Sequence, residues 1–251
     1  MSDGRNIIYL YDGSFDGLLS AVFDSYYRHE IPLAIETYEK LQQNLFCDYH
    51  KIETDPEKSE RVSKAIDKKI SHDALVNIYE TYLSDTKNKE RICLEYIRAG
   101  FFYGSNIDCR LTIDCVNRVI CSVKRIRSEA HQYLGFVRFS ELESGIYYSE
   151  INPACNILPL ISDHFMKRLA GISWVINDIG RKLCTVCNGS EYLLAPTDTV
   201  PNLNFSDKEL TFRKLWKEFY DTIEIKERHN ERCRMTHMPK RYWKHMTEFQ
   251  Q

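Results

Sequence analysis

Two hydrophobic periods divide this chain, and they limit its possible folds more than any single motif. Across residues 55–132 apolar side chains recur at helical spacing, and from residue 135 they alternate with a period near two. The helical stretch opens on Thr54-Asp55-Pro56-Glu57, with proline at the first helical position, and carries Val62, Ile66 and Ile70 as one stripe. Ser71-His72-Asp73-Ala74 restarts the chain, and Leu75, Ile78, Tyr79 and Tyr82 form the next stripe. A third helix is predicted over 89–103, ending at Gly104, and a fourth over 111–133 with Val116, Val119, Ile120, Val123 and Ile126 on one side. Short links between amphipathic helices predict that they pack on one another.

Ahead of these helices, residues 7–11 read as a strand, Asp12-Gly13-Ser14 as a turn, and Leu18, Leu19, Val22, Phe23 and Tyr26 as a helix. The Asp-Gly-Ser turn lacks the glycine pattern and lysine of a phosphate-binding loop, so it reads as a cap. Beyond the change of period, residues 135–139 and 146–151 read as a hairpin, 159–169 as a helix, and 173–178, 182–188 and 191–194 as three further strands. Their separators have the length of tight turns, which predicts an antiparallel β2-α-β3 sheet of about five strands. Pro196 and Pro201 mark a connector, and Ser206-Asp207-Lys208-Glu209 caps a helix with Leu210, Leu215, Trp216, Phe219 and Ile223. The expected class is α+β: a helical N-terminal half, then a small antiparallel sheet with C-terminal helices packed on it. Three sub-regions follow: 1–134, mainly helical with an N-terminal strand; 135–195, the sheet; and 206–251, helical and basic.

With 251 residues and a net charge of −2, the chain is neither disordered nor a uniformly basic nucleic-acid coat. No apolar stretch approaches the ~20 residues that span a bilayer, and none near Met1 resembles an export signal, so a cytoplasmic protein without membrane contact is expected. The nine cysteines then read as reduced thiols. Cys184 and Cys187 have metal-like spacing, but on a strand they point to opposite faces and no further ligands follow, so no metal site is expected. No motif for a cofactor appears, and none is expected.

Charge is nevertheless unevenly spread. Between Arg110 and Arg138 six basic residues outnumber Asp114 and Glu129, and between Arg228 and His245 six outnumber Glu231. Lys124, Arg125 and Arg127 in the first stretch, and Lys240, Arg241 and Lys244 in the second, are candidates to contact nucleic-acid phosphates. Tyr242 and Trp243 lie among them, as aromatics placed to stack on unpaired bases or, alternatively, to pack onto the core. A third constellation is polar: Glu129 and His131 close the long helix, Asp163, His164 and Arg168 share another, and Asp178 and Arg181 flank a turn. Converging, they would supply a proton-transfer group, an orienting carboxylate and an anion-holding guanidinium. The alternative is a set of hydrogen-bonded histidines and structural ion pairs. No hydrolase elbow, zinc-protease, dinucleotide or kinase motif is present, which leaves catalysis open.

Five ordered phrases carry a family likeness. They are Tyr11-Asp12-Gly13-Ser14-Phe15-Asp16-Gly17-Leu18-Leu19; Glu129-Ala130-His131 before Gly135-Phe136-Val137-Arg138-Phe139; Asn156-Ile157-Leu158-Pro159-Leu160 before His164-Phe165; Trp174-Val175-Ile176-Asn177-Asp178 with Arg181; and Met238-Pro239-Lys240-Arg241-Tyr242-Trp243. This order resembles a bacterial family of probable DNA metabolism or putative DNA repair proteins whose C-terminal portion is a domain of unknown function. The resemblance spans essentially all of residues 1–251, as a single family unit. It implies association with a radical S-adenosylmethionine protein, and with a uracil-DNA glycosylase-type domain to which some members are fused; this chain resembles the stand-alone form. It brings no catalytic residues with it. The expectation is therefore a DNA-binding accessory to such a partner, with two alternatives: an enzyme acting on damaged or modified nucleic acid, or a protein–protein adaptor without nucleic-acid contact.

Overall fold

The computed structural model describes residues 6–38, 46–197, 204–223, 225 and 230–249. Part of the proline-bearing connector (198–203) and Arg228 lie outside the described residues. The chain divides into two compact units, Met1–Arg127 and Ser128–Gln251.

In the first unit, strand β1 (Asn6–Tyr11) lies between β2 (Ala34–Thr37) and β3 (Cys47–Lys51), parallel to both. The sequence announces β1 and the helix after it, α1 (Phe15–Tyr27), whose N-cap Ser14 accepts a bond from the Gly17 amide. It does not announce β2 and β3. These are short edge strands whose polar Glu36, Asp48 and His50 hide the period-two signal. Helices α2 (Pro56–Lys69), α3 (His72–Leu83) and α4 (Lys89–Tyr103) follow. Asp55 caps α2 by accepting from the Glu57 and Lys58 amides, and Ser71 caps α3 by accepting from Ala74. Their stripes meet β1 and α1 in one core containing Tyr9, Leu18, Leu19, Ile66, Ile78 and Ile97.

Helix α5 (Asp114–Phe136) contributes its last turns, from Ser128, to the second unit. The strand expected over 135–139 is instead the end of this helix and a short irregular segment. Phe139 there packs edge-on against Phe165 and Trp174 at 5.3 and 6.0 Å, and the strand β4 is only Ser140–Glu141. Next come β5 (Tyr147–Ile151), α6 (Leu158–Arg168), β6 (Trp174–Asp178), β7 (Leu183–Cys187) and β8 (Tyr192–Pro196).

The five strands lie side by side in chain order, and three of their four pairings are antiparallel as expected. The fourth, β5 with β6, is parallel. Helix α6 is the reason, because it carries the chain back along the sheet so that β6 starts from the same end as β5. It covers one face of the sheet, placing Ile161 and Phe165 in the core that also holds Trp174 and Ile176, and the Ser162 and Thr185 hydroxyls bond at 2.9 Å. Cys184 and Cys187 fall on opposite faces of β7.

C-terminal to the sheet, α7 (Asp207–Thr222) is capped by Ser206 and tied to β4 by polar bonds, Arg213 to the Ser140 hydroxyl and the Glu141 amide to Glu209. No residue of α7 is fully buried. Two short helices follow, α8 (Glu231–His237) and α9 (Lys240–Trp243). No helix among the described residues is long and apolar enough to cross a membrane.

The turn after β7 approaches another backbone closely. Gly189 has φ +99°, and a Cβ there would stand 2.9 Å from the Gly171 carbonyl carbon. Gly145 also has positive φ, +78°, but faces open space. Gly189→Ala is expected to cost ~2–3 kcal/mol, from backbone strain plus a contact that no rotamer relieves, and Gly145→Ala ~1 kcal/mol from strain alone. Urea unfolding of the two variants beside the parent checks the difference.

Candidate functional site

In the second unit, three of the polar residues singled out from the sequence meet at one loop, 152–156, which leads into α6. Glu129, buried on α5, accepts bonds from the backbone amides of Ala154 and Cys155 at 2.9 and 2.8 Å. Arg181, from the β6–β7 turn, donates to the carbonyls of Pro153 (2.9 Å) and Ala154. The same guanidinium bonds Asp178 at 2.9 Å. Asp178 is fully buried and also accepts from the amides of Gly180 and Arg181. Burial pushes its carboxyl pKa up, and Arg181 with the two amides opposes that shift. Every strong valence of this trio is spent on backbone or on one another. They hold a loop in place.

The histidines expected beside them are elsewhere. His131 is exposed on α5, and His164 is exposed on α6 with its ring edge against Phe165 at 5.2 Å. Neither has a carboxylate partner among the described residues. Asp163 and Arg168 are likewise exposed. Among the described residues of this unit, the histidine–carboxylate pair is His245 with Glu150, Nδ1 to Oε2 at 3.9 Å.

The two line a cavity of about 150 Å3 with Arg138, Arg213, Tyr148 and Ser149. The Ser149 hydroxyl is buried and has no partner among the described residues. Arg138 is held by Glu248 at 2.8 and 3.3 Å, and Arg213 by Glu209 at 2.9 Å. Both guanidinium charges are therefore balanced, and the cavity has no surplus positive charge with which to draw in a phosphate. The sequence hides this pair, because His245 reads as one more member of a basic tail and Glu150 as the polar side of a strand. Only the strand alternation that puts Tyr148 and Glu150 on one face hints at it.

The cationic residues fare unequally. In the first unit, Arg125 pairs with Asp85 and Arg127 with Glu80, each at 2.7 Å, whereas Lys124 is exposed without an ion pair among the described residues. In the second unit, Tyr242 is only 2% exposed: it packs on Tyr133 and Phe136, and its hydroxyl donates to Gln132 at 2.6 Å. Arg241 donates to the same hydroxyl. Trp243 stacks on Phe249 at 4.4 Å, donates to the Met238 carbonyl, and has Arg234 and Lys240 over its ring at 5.0 and 5.7 Å. Neither aromatic offers a bare face for a base. Arg232, Lys240 and Arg241 are exposed and have no ion pair among the described residues, and Lys244 beside them is exposed too.

A family model described as a domain of unknown function, DUF4130, matches residues 87–248. The chain belongs to the DUF4130 family. No curated protein and no solved structure matches it. The matched DUF4130 segment takes in the Glu129–Arg181 clamp, the His245–Glu150 cavity and the cations of α8 and α9.

Two outcomes follow for this DUF4130 protein. Arg181→Ala leaves Asp178 buried without its cation and two loop carbonyls without their donor, which should destabilise the second unit by ~3–5 kcal/mol, read by urea unfolding. Adding Asp178→Asn to Arg181→Ala should recover part of that loss, because the buried charge is gone. The second outcome concerns pH. Burial, with a further contribution from Lys244, holds the His245 imidazole below its ordinary pKa, and Glu150 offsets part of that shift. The unfolded chain therefore takes up this proton first. The contribution of neutral His245 to stability is full above about pH 6.5 and is lost as pH falls through that value towards the lower folded pKa. His245→Gln should flatten the fall in melting temperature between roughly pH 7 and 5 relative to the parent.

Proposed function

We propose that this DUF4130 protein binds nucleic acid as an accessory in DNA metabolism or repair, and that α8 and α9 contact the phosphates. The observation that supports this is the state of the cations there. Arg232, Lys240 and Arg241 are exposed and without an ion pair among the described residues, whereas Arg125, Arg127 and Arg138 are each spent on a carboxylate. Exposed unpaired cations gain from releasing counterions off a phosphate backbone, and paired ones must first lose a partner.

Contact by phosphate alone suits the buried Tyr242 and the stacked Trp243, and it predicts binding with little sequence preference. The association with DNA repair, and with a radical S-adenosylmethionine or uracil-DNA glycosylase-type partner, rests on the family resemblance. A binding role is favoured over a catalytic one at the residues named from sequence, because Glu129, Asp178 and Arg181 act as fixed ties and the two exposed histidines have no orienting carboxylate among the described residues.

The test is fluorescence anisotropy with labelled single-stranded and duplex DNA. Affinity should fall steeply as salt rises from roughly 50 to 200 mM, and Lys240→Ala or Arg232→Ala should each lower the slope of log affinity against log salt by about one. Absence of binding to either DNA, or binding indifferent to salt, would overturn the proposal.

A further inference from the structure

The first unit has a different surface, built from α1, α2 and α4. Its floor is aliphatic, formed by Val22, Val62 and Ala65, and its walls are the rings of Phe23, Tyr26 and Phe101. The open groove has a volume of about 390 Å3, within the ~300–1,000 Å3 typical of ligand sites. The charged side chains that line it, Arg61 and Lys69, are both cations. Neither has an ion pair or hydrogen bond among the described residues. Arg61 lies 5.0 Å over the Phe23 ring and Lys69 5.9 Å over that of Phe101.

Several acids on α1 and α2 are engaged elsewhere, while Glu57, one turn before Arg61 on α2, is exposed. Lys58 holds Asp24, Lys64 holds Glu60, and His72 lies 3.0 Å from Asp67. The groove therefore combines an apolar floor with a rim whose two cations, Arg61 and Lys69, have no ion pair among the described residues.

We propose that this groove docks a segment of a partner protein that presents large apolar side chains flanked by carboxylates. Charge complementarity selects the occupant. Aspartate or glutamate beside a buried leucine or aromatic would meet Arg61 and Lys69 at the rim while the apolar group fills the floor, the arrangement used by amphipathic helices in grooves. Nucleic acid fits less well. The ring faces that would stack on a base already carry cations, including Arg98 over Tyr26 at 4.9 Å, and the aliphatic floor has no polar atom to read a base edge. The surface is independent of α8 and α9, so the proposal stands or falls apart from the nucleic-acid reading.

The experiment uses the full chain and three synthetic amphipathic peptides with one leucine- and tryptophan-bearing face. Their opposite faces carry glutamate, glutamine or lysine. Anisotropy should show the glutamate peptide binding at least about ten-fold more tightly than the glutamine one, and the lysine peptide weakest. Arg61→Glu with Lys69→Glu should reverse that order in favour of the lysine peptide, a gain that a misfolded variant cannot produce. Lys64→Glu, on α2 but outside the groove, should leave the order of the parent. Equal affinity for the three peptides, or an order unchanged by the double reversal, overturns the proposal. Loss of oligothymidylate binding in the double variant would assign the groove to nucleic acid, and peptide-blocked self-association of the parent would assign it to a second copy. Either result also overturns the proposal.

Discussion

The second unit depends on satisfying the backbone of one half-buried loop. Between β5 and α6 the chain turns through Pro153-Ala154-Cys155, where Pro153 and Cys155 are buried. Buried amides and carbonyls without partners cost more than a typical hydrogen bond returns, so such a turn persists only where partners are supplied. Glu129 supplies two acceptors from one carboxylate and Arg181 two donors from one guanidinium. Asp178 then orients the guanidinium and is itself held by two amides. Because α6 begins at Leu158, a few residues on, fixing this loop fixes the start of the helix that packs on β7 and β8. Its crossover makes β5 and β6 parallel within a sheet that is otherwise antiparallel.

The same accounting decides which charged groups remain available to a ligand. A carboxylate whose oxygens each hold a backbone amide or a guanidinium is a fixed tie, and Glu129 and Asp178 serve as such. A guanidinium locked to a carboxylate offers little to a phosphate, which removes Arg125, Arg127 and Arg138 from the interface their spacing suggests. What is left among the cations named from sequence is Lys124 on α5 and a short exposed run on α8 and α9. The cavity beside His245 illustrates the point again, because its two guanidinium groups look like an anion site until their carboxylate partners are counted.

Helix-capping signals in the sequence translate into structure, whereas the short alternation over 135–139 does not. Asp55-Pro56, Ser71 and Ser206 each cap the helix they announce, and the stripe from Ile92 to Ile97 lies in the core. Asp178 with Arg181 was legible as a pair because both sit at one turn. Glu129 with residues 154–155 was not, since 25 residues separate them and the partner atoms are backbone, which leaves no mark on residue type. Strands β2 and β3 escape for a related reason. They are recruited by pairing with β1 and not by an apolar alternation of their own. The parallel β5–β6 pair escapes because a strand–helix–strand order fixes direction only once the helix is known to lie along the same sheet.

Two surfaces thus carry cations in different settings, and the setting determines what each can bind. On α8 and α9, Arg232, Lys240 and Arg241 are exposed to solvent, so their attraction is long-ranged and screened by salt. At the groove of α1, α2 and α4, Arg61 and Lys69 flank buried hydrocarbon. A counter-charge there gains fully only when an apolar group beside it enters the floor and excludes water, which strengthens the interaction as the local dielectric falls. Coulomb attraction at the first surface is sufficient for a uniform polyanion. At the second it is coupled to hydrophobic burial, and that coupling selects for a ligand carrying both features at matched spacing.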